Sequence, residues 1–179
     1  MHTSLGFRIF FLISFLLVLA QCKNPKKEEV TSADIFKRYR LNEGANVFVV
    51  PPGIVSIFLD ESQPGNKEII DILGKVDKLT FLVLPNKRNV KENSYFTDLD
   101  RDFDSILFQD LAMVNNGREI IKVKANGDSE SVEELIVLVS NYEAIFCVSF
   151  IGNISMESIV NLTKPENMAA ISNLNRLSK

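Results

Sequence analysis

Residues 108–151 read FQDLAMVNNGREIIKVKANGDSESVEELIVLVSNYEAIFCVSFI. Asn116-Gly117 is the strongest short-range hairpin signal, because both central positions of a tight turn of this type need a positive φ. Asn126-Gly127 marks a second turn. Glu133 to Ser140 and Ala144 to Ile151 are long, largely apolar runs joined at Asn141-Tyr142-Glu143. With Phe108 to Val114 and Ile121 to Lys124 they predict four consecutive strands with short turns, an antiparallel meander. Ile121 and Val123 alternate with Lys122 and Lys124, a pattern that suits a half-buried edge strand whose lysines discourage unwanted pairing.

Upstream, Leu79 to Leu84 is apolar on both faces and predicts a central strand. Val47 to Val50 is a shorter buried strand, and Pro51-Pro52 stops it while presetting a helix that carries Ile54, Val55, Ile57 and Phe58. A polar turn, Glu61 to Gly65, leads to a helix with Ile69, Ile70 and Leu73 inward. Ser32 to Leu41 places Ile35, Phe36 and Tyr39 on one helical face, with Ser32 as its N-cap, and Phe96, Leu99, Phe103, Ile106 and Leu107 recur at helical spacing. After the meander, Ser155 caps a helix with Ile159, Val160 and Leu162, and Pro165 closes the domain. The tail, residues 165–179, sets Met168, Ile171 and Leu174 at helical intervals. The expected fold is α+β: a mixed, mainly antiparallel sheet ending in a four-strand meander, with helices mainly on one face.

Residues 1–21 hold one charged side chain, Arg8, and an apolar run from Ile9 to Ala20, too short to span a bilayer but suited to a signal peptide. The run ends in Val18-Leu19-Ala20-Gln21-Cys22, which resembles a bacterial lipobox with Gln21 where Gly or Ala is usual. Lys27-Glu28-Glu29 resembles the lysine and acidic signal for surface export in Bacteroidetes. This divides the chain into a lipoprotein signal peptide (1–21), a lipidated N-terminus and linker (22–31), one α+β domain (32–164) and the tail. Acyl chains on Cys22 would anchor it permanently. The expected location is the cell envelope, at the outer membrane, facing the periplasm or the cell surface.

The chain of 179 residues has one histidine, His2, inside this leader, so imidazole-based catalytic and metal chemistry is excluded from the body. Loss of residues 1–21 removes Arg8 and takes the net charge from −3 to −4, which offers nucleic acid no attraction. Asp98, Asp100, Asp102 and Asp104 have the alternate spacing of a calcium loop, but Phe103 stands at the required glycine and Gln109 at the closing glutamate. Residues two apart on a helix point nearly opposite ways, so the cluster reads as a solvated face. Glu133 and Glu134 fall on opposite faces of a strand. Lys87, Arg88 and Lys91 lie in a solvated loop, no spacing selects a serine and lysine pair, and the glycines form no phosphate cradle. Cys147, in an apolar strand, reads as an inert thiol. Neither cofactor nor metal nor enzymatic activity is expected.

Phe36-Lys37-Arg38-Tyr39, Ser56-Ile57-Phe58-Leu59, Phe108-Gln109-Asp110-Leu111, residues 132–139 and Ser149-Phe150-Ile151-Gly152-Asn153-Ile154 together resemble the domain of unknown function 4252 family, small exported proteins and lipoproteins of Bacteroidetes. The resemblance covers about residues 32 to 164. It implies the compartment and a single-domain body, and no activity or catalytic residue. Two readings of function remain. One is a non-catalytic binding or accessory module for another envelope protein, with the strand of Lys122 and Lys124 as the edge that meets it. The alternative is a carrier of apolar small molecules, with a pocket between helices and sheet lined by Phe58, Phe81, Phe96, Phe103, Phe146 and Phe150.

Overall fold

The strand signals assemble into one six-stranded sheet in the computed structural model, which describes residues 30–85, 94–128 and 130–174. The leader with Cys22, the basic residues Lys87, Arg88 and Lys91, and the last five residues lie outside these. In chain order the elements are α1 (Ser32–Asn42), β1 (Asn46–Val50), α2 (Pro52–Ile57), α3 (Asn66–Leu73), β2 (Val76–Pro85), α4 (Ser94–Asp104), β3 (Gln109–Asn115), β4 (Glu119–Gly127), β5 (Ser131–Asn141), β6 (Ala144–Ser155), α5 (Met156–Leu162) and α6 (Pro165–Leu174). The fold is α+β, as the sequence predicts.

The strands run in the order β1-β2-β6-β5-β4-β3. Every pairing is antiparallel, so the sheet is not mixed. The meander β3 to β6 makes two thirds of it, and β2 docks on β6 with Phe81 opposite Val148 and Leu82 opposite Cys147. The central strands are apolar on both faces, so one helical layer could not cover them. Four helices, α2, α3, α5 and α6, bury Val55, Ile69, Ile72, Ile159 and Ile171 against Leu79, Phe81, Val123, Val137 and Val148. On the other face α1 and α4 bring Ile35, Phe36, Leu99 and Phe103 onto Leu82, Leu84, Ile136, Leu138 and Cys147. Helices therefore lie mainly on one face, yet the second face is also sealed. Each fully buried Leu, Ile or Phe contributes about 1.5–3 kcal/mol.

Local chemistry sets the element ends. Thr31, one residue before the expected Ser32, is the N-cap of α1, and it forms a capping box with Asp34. Ser155 caps α5 as expected, its Oγ accepting from the N–H of Ser158. The stretch from Pro165, expected as a tail beyond the domain, is α6, and Met168, Ala170, Ile171 and Leu174 are buried in the larger core. Lys122 and Lys124 are not on an edge. Their strand, β4, is enclosed by β3 and β5, and the sheet edges are β1 and β3.

Candidate functional site

Helical periodicity turns Leu99 and Phe103 of α4 into the core, and it carries Asp100 and Asp104, one turn apart, to the side that overhangs β4. From β4, Lys122 and Lys124 project on the same face because strand side chains alternate. Asp110 of β3 lies opposite Lys124 in the ladder. The five side chains close into one network. Nζ of Lys124 donates to Asp100 Oδ1 at 2.7 Å, Asp104 Oδ1 at 2.7 Å and Asp110 Oδ1 at 2.5 Å. Nζ of Lys122 reaches Asp100 Oδ2 at 2.6 Å and Asp110 Oδ2 at 2.7 Å. The side chain of Lys124 is 0% exposed, whereas those of Asp104 and Asp110 are about half exposed.

Burial works against the charge on both lysines, but the aspartates outweigh it and hold both ammonium groups above their ordinary value. Burial likewise opposes ionisation of Asp110, yet hydrogen bonds from Lys122 and Lys124 keep its carboxyl below the usual range. Carboxylate oxygens of Asp100, Asp104 and Asp110 come within 4.8 Å of one another, a spacing that suits a cation. The ammonium of Lys124 occupies that place, bonded to all three. The cluster is thus an internal salt network that clamps α4 to β3 and β4, and its carboxylates are engaged with lysines rather than available to act as acid or base.

One expectation changes here. The acidic run does not form a uniform solvated face. Asp100 and Asp104 converge with Asp110, and Asp102 accepts from the guanidinium of Arg38 and, at 2.9 Å, from the hydroxyl of Tyr39. Burial and this bond together raise the Tyr39 hydroxyl. Arg38, Tyr39, Asn42, Glu43, Tyr95, Asp98, Arg101 and Asp102 line an open cleft of about 210 Å³ between α1 and α4. Its charges are also engaged, Arg101 with Asp98 at 2.5 Å and Glu43 with the Tyr95 hydroxyl at 2.8 Å.

A serine and lysine grouping that no spacing reveals does exist. Nζ of Lys75 donates to Ser158 Oγ at 2.8 Å and Ser155 Oγ at 3.1 Å, and the two hydroxyls are 2.8 Å apart. Gly152 makes it possible, since a Cβ there would lie 2.2 Å from the carbonyl oxygen of Lys75. Lysines that act as bases are desolvated. Lys75 is exposed and Ser155 is spent on its cap, so this grouping finishes the end of α5.

The phenylalanines expected to line a pocket are, apart from Phe58, buried in the two cores. Phe81 stacks on Phe48 at 5.2 Å and tilts against Phe146 at 5.5 Å, while Phe103 meets Phe36 and Phe108 edge-on. Phe58 departs from the expectation, being 69% exposed. The register of β5 shifts between Val132 and Glu134, so Glu133 and Glu134 fall at a bulge rather than in the plain alternation expected of them, and Glu134 accepts from the Ser149 hydroxyl. Cys147 is fully buried, which pushes its thiol well up. No helix among the described residues is long and apolar enough to cross a membrane.

Among known families, the model described as "Domain of unknown function (DUF4252)" matches residues 39–162. No curated protein and no solved structure matches the chain.

Proposed function

This chain belongs to the DUF4252 family, and from that premise we propose that it is a lipid-anchored protein of the cell envelope, at the outer membrane, with a non-catalytic binding or accessory role. The apolar leader ending at Cys22 supports the anchor. One structural observation supports the binding role: the convergent charged groups are bonded to each other, while large apolar side chains stand exposed. Ile54, Ile57 and Phe58, at and after α2, are 48%, 79% and 69% exposed. Exposed apolar residues gathered in one segment are typical of interaction surfaces.

The test is mild crosslinking in cells, followed by detergent copurification of the tagged full chain beside its Cys22→Ala form. A stoichiometric envelope partner that is lost with the anchor is the expected result. Recovery of the protein alone, with an apolar compound seen by native mass spectrometry, would replace this reading by the carrier. Absence of acyl mass on the wild type removes the anchor.

A further inference from the structure

We propose that β1 is the edge through which two copies of this chain pair, continuing the sheet across a two-fold axis into twelve strands. The inference rests on the binding role above and gives it a surface and a partner.

The two sheet edges are built differently. Edge strands present a row of unpaired N–H and C=O groups, and proteins that keep such edges free blunt them with charges, bulges or prolines. The β3 edge is blunted: its register shifts between Asp110 and Ala112, and Asp110 carries a charge inward onto Lys122 and Lys124. β1, Asn46-Val47-Phe48-Val49-Val50, has no charged residue and no proline, and pairs with β2 in unbroken register. No strand among the described residues lies on its other side. Such a row of backbone donors and acceptors, left to water in the single chain, is matched along its length by another extended chain.

Self-pairing fits the sequence of the strand. An antiparallel pair centred on Phe48 sets Val47 against Val49 of the other copy and Asn46 against Val50. Extending the same register brings Glu43 opposite Gly53, so no like charges meet along the pair. Val49 is 59% exposed, and the exposed side chains of Ile54, Ile57 and Phe58 follow within eight residues of the end of β1. A five-residue strand makes only a small contact, short of the roughly 1,200 Å² in total that marks the lower bound of a stable specific interface. The geometry therefore points to a weak, reversible dimer, which anchoring of both copies in one membrane would favour.

Sedimentation of the full chain in detergent, over a wide range of concentration, tests this. The wild type should associate to a dimer, and Val49→Lys should weaken that association by about tenfold or more, because it sets a charge on each side of the axis. Should Val49→Lys fail to fold, Ile57→Asp, at a position 79% exposed, is expected to weaken association likewise. Met113→Lys, on the β3 edge, should leave it unchanged. A wild type that stays monomeric throughout, or a dimer indifferent to both β1-side variants, overturns the proposal. If the monomer still brings down an envelope protein in the copurification above, self-pairing alone has failed. If it brings down nothing, the binding role has failed with it.

Discussion

The carboxylate of Asp100 and the ammonium of Lys124 meet at 2.7 Å between α4 and β4, and the lysine side chain has no exposed surface. A buried ion pair rarely adds much over a well-packed apolar pair, but removing one member strands the other. The cluster is therefore best probed by deleting its centre.

Lys124→Met should destabilise the protein by about 1–3 kcal/mol at neutral pH, since the three converged aspartates, two of them half exposed, keep only Lys122 as a cation. Urea unfolding followed by circular dichroism measures this. A loss below about 1 kcal/mol would mean that water reaches the aspartates and the clamp is not formed.

The same network fixes the shape of the pH profile. Asp110 is held below its ordinary value of 3.8, so its contribution is present above that value and is lost as pH falls through the lower, folded value. Lys122 and Lys124 stand above 10.5, so theirs is present below 10.5 and is lost as pH rises through the higher, folded values. Stability from the cluster should be flat between these limits. Urea midpoints against pH should show an acid limb that becomes shallower in Asp110→Asn, and an unchanged acid limb would refute the assignment.

Leu107 has φ 70° and is 81% exposed, in the turn where the N–H of Phe108 reaches back to the carbonyl of Phe103. A side chain in this left-handed conformation is strained, and nothing is gained by its burial. Leu107→Gly should therefore raise stability by about 0.5–1 kcal/mol, relief of strain exceeding the added flexibility of the unfolded chain. A lower thermal midpoint would show that Leu107 makes contacts that matter.

Gly65, at φ 80°, begins α3 so close to α6 that a Cβ would lie 2.5 Å from the carbonyl oxygen of Asn167. Gly44, at φ 71°, has nothing within 4 Å. Gly44→Ala should lose roughly 1 kcal/mol from backbone strain, whereas Gly65→Ala should lose more than ~2 kcal/mol because α6 must also shift. Equal losses in thermal unfolding would show that α6 docks loosely.

Cys147 should resist a thiol reagent in the native protein and react at once in denaturant, because its burial keeps it from forming a thiolate. Labelling followed by mass spectrometry decides it, and rapid native labelling would place the thiol within reach of solvent.

Periodicity makes the order of elements legible: every strand from Val47 to Ile151 and every helix before Pro165 is announced by its own apolar spacing and its bounding glycines, prolines or asparagines. The salt cluster is not legible in the same way. Lys122 and Lys124 alternate with apolar residues whether the polar face meets water or carboxylates, and local pattern does not distinguish the two. Asp100 and Asp104 are four residues apart, a spacing that does place them together, but the eye is drawn to the run of aspartates two apart. Nothing local announces that Asp110, beyond the end of α4, completes the set. The exposure of Ile54, Ile57 and Phe58 is missed for the opposite reason, since an apolar residue at helical spacing signals burial even where no layer covers it.

The strand order has a consequence for how the chain acquires its shape. β2 pairs with β6, the last strand made, although four other elements lie between them. The meander from β3 to β6 can form by successive neighbouring hairpins, but β1 and β2 have no place to dock until β6 has emerged. A chain delivered from its N-terminus thus holds its first two strands unfinished until nearly the whole sequence is available, and closure of the sheet becomes its last act.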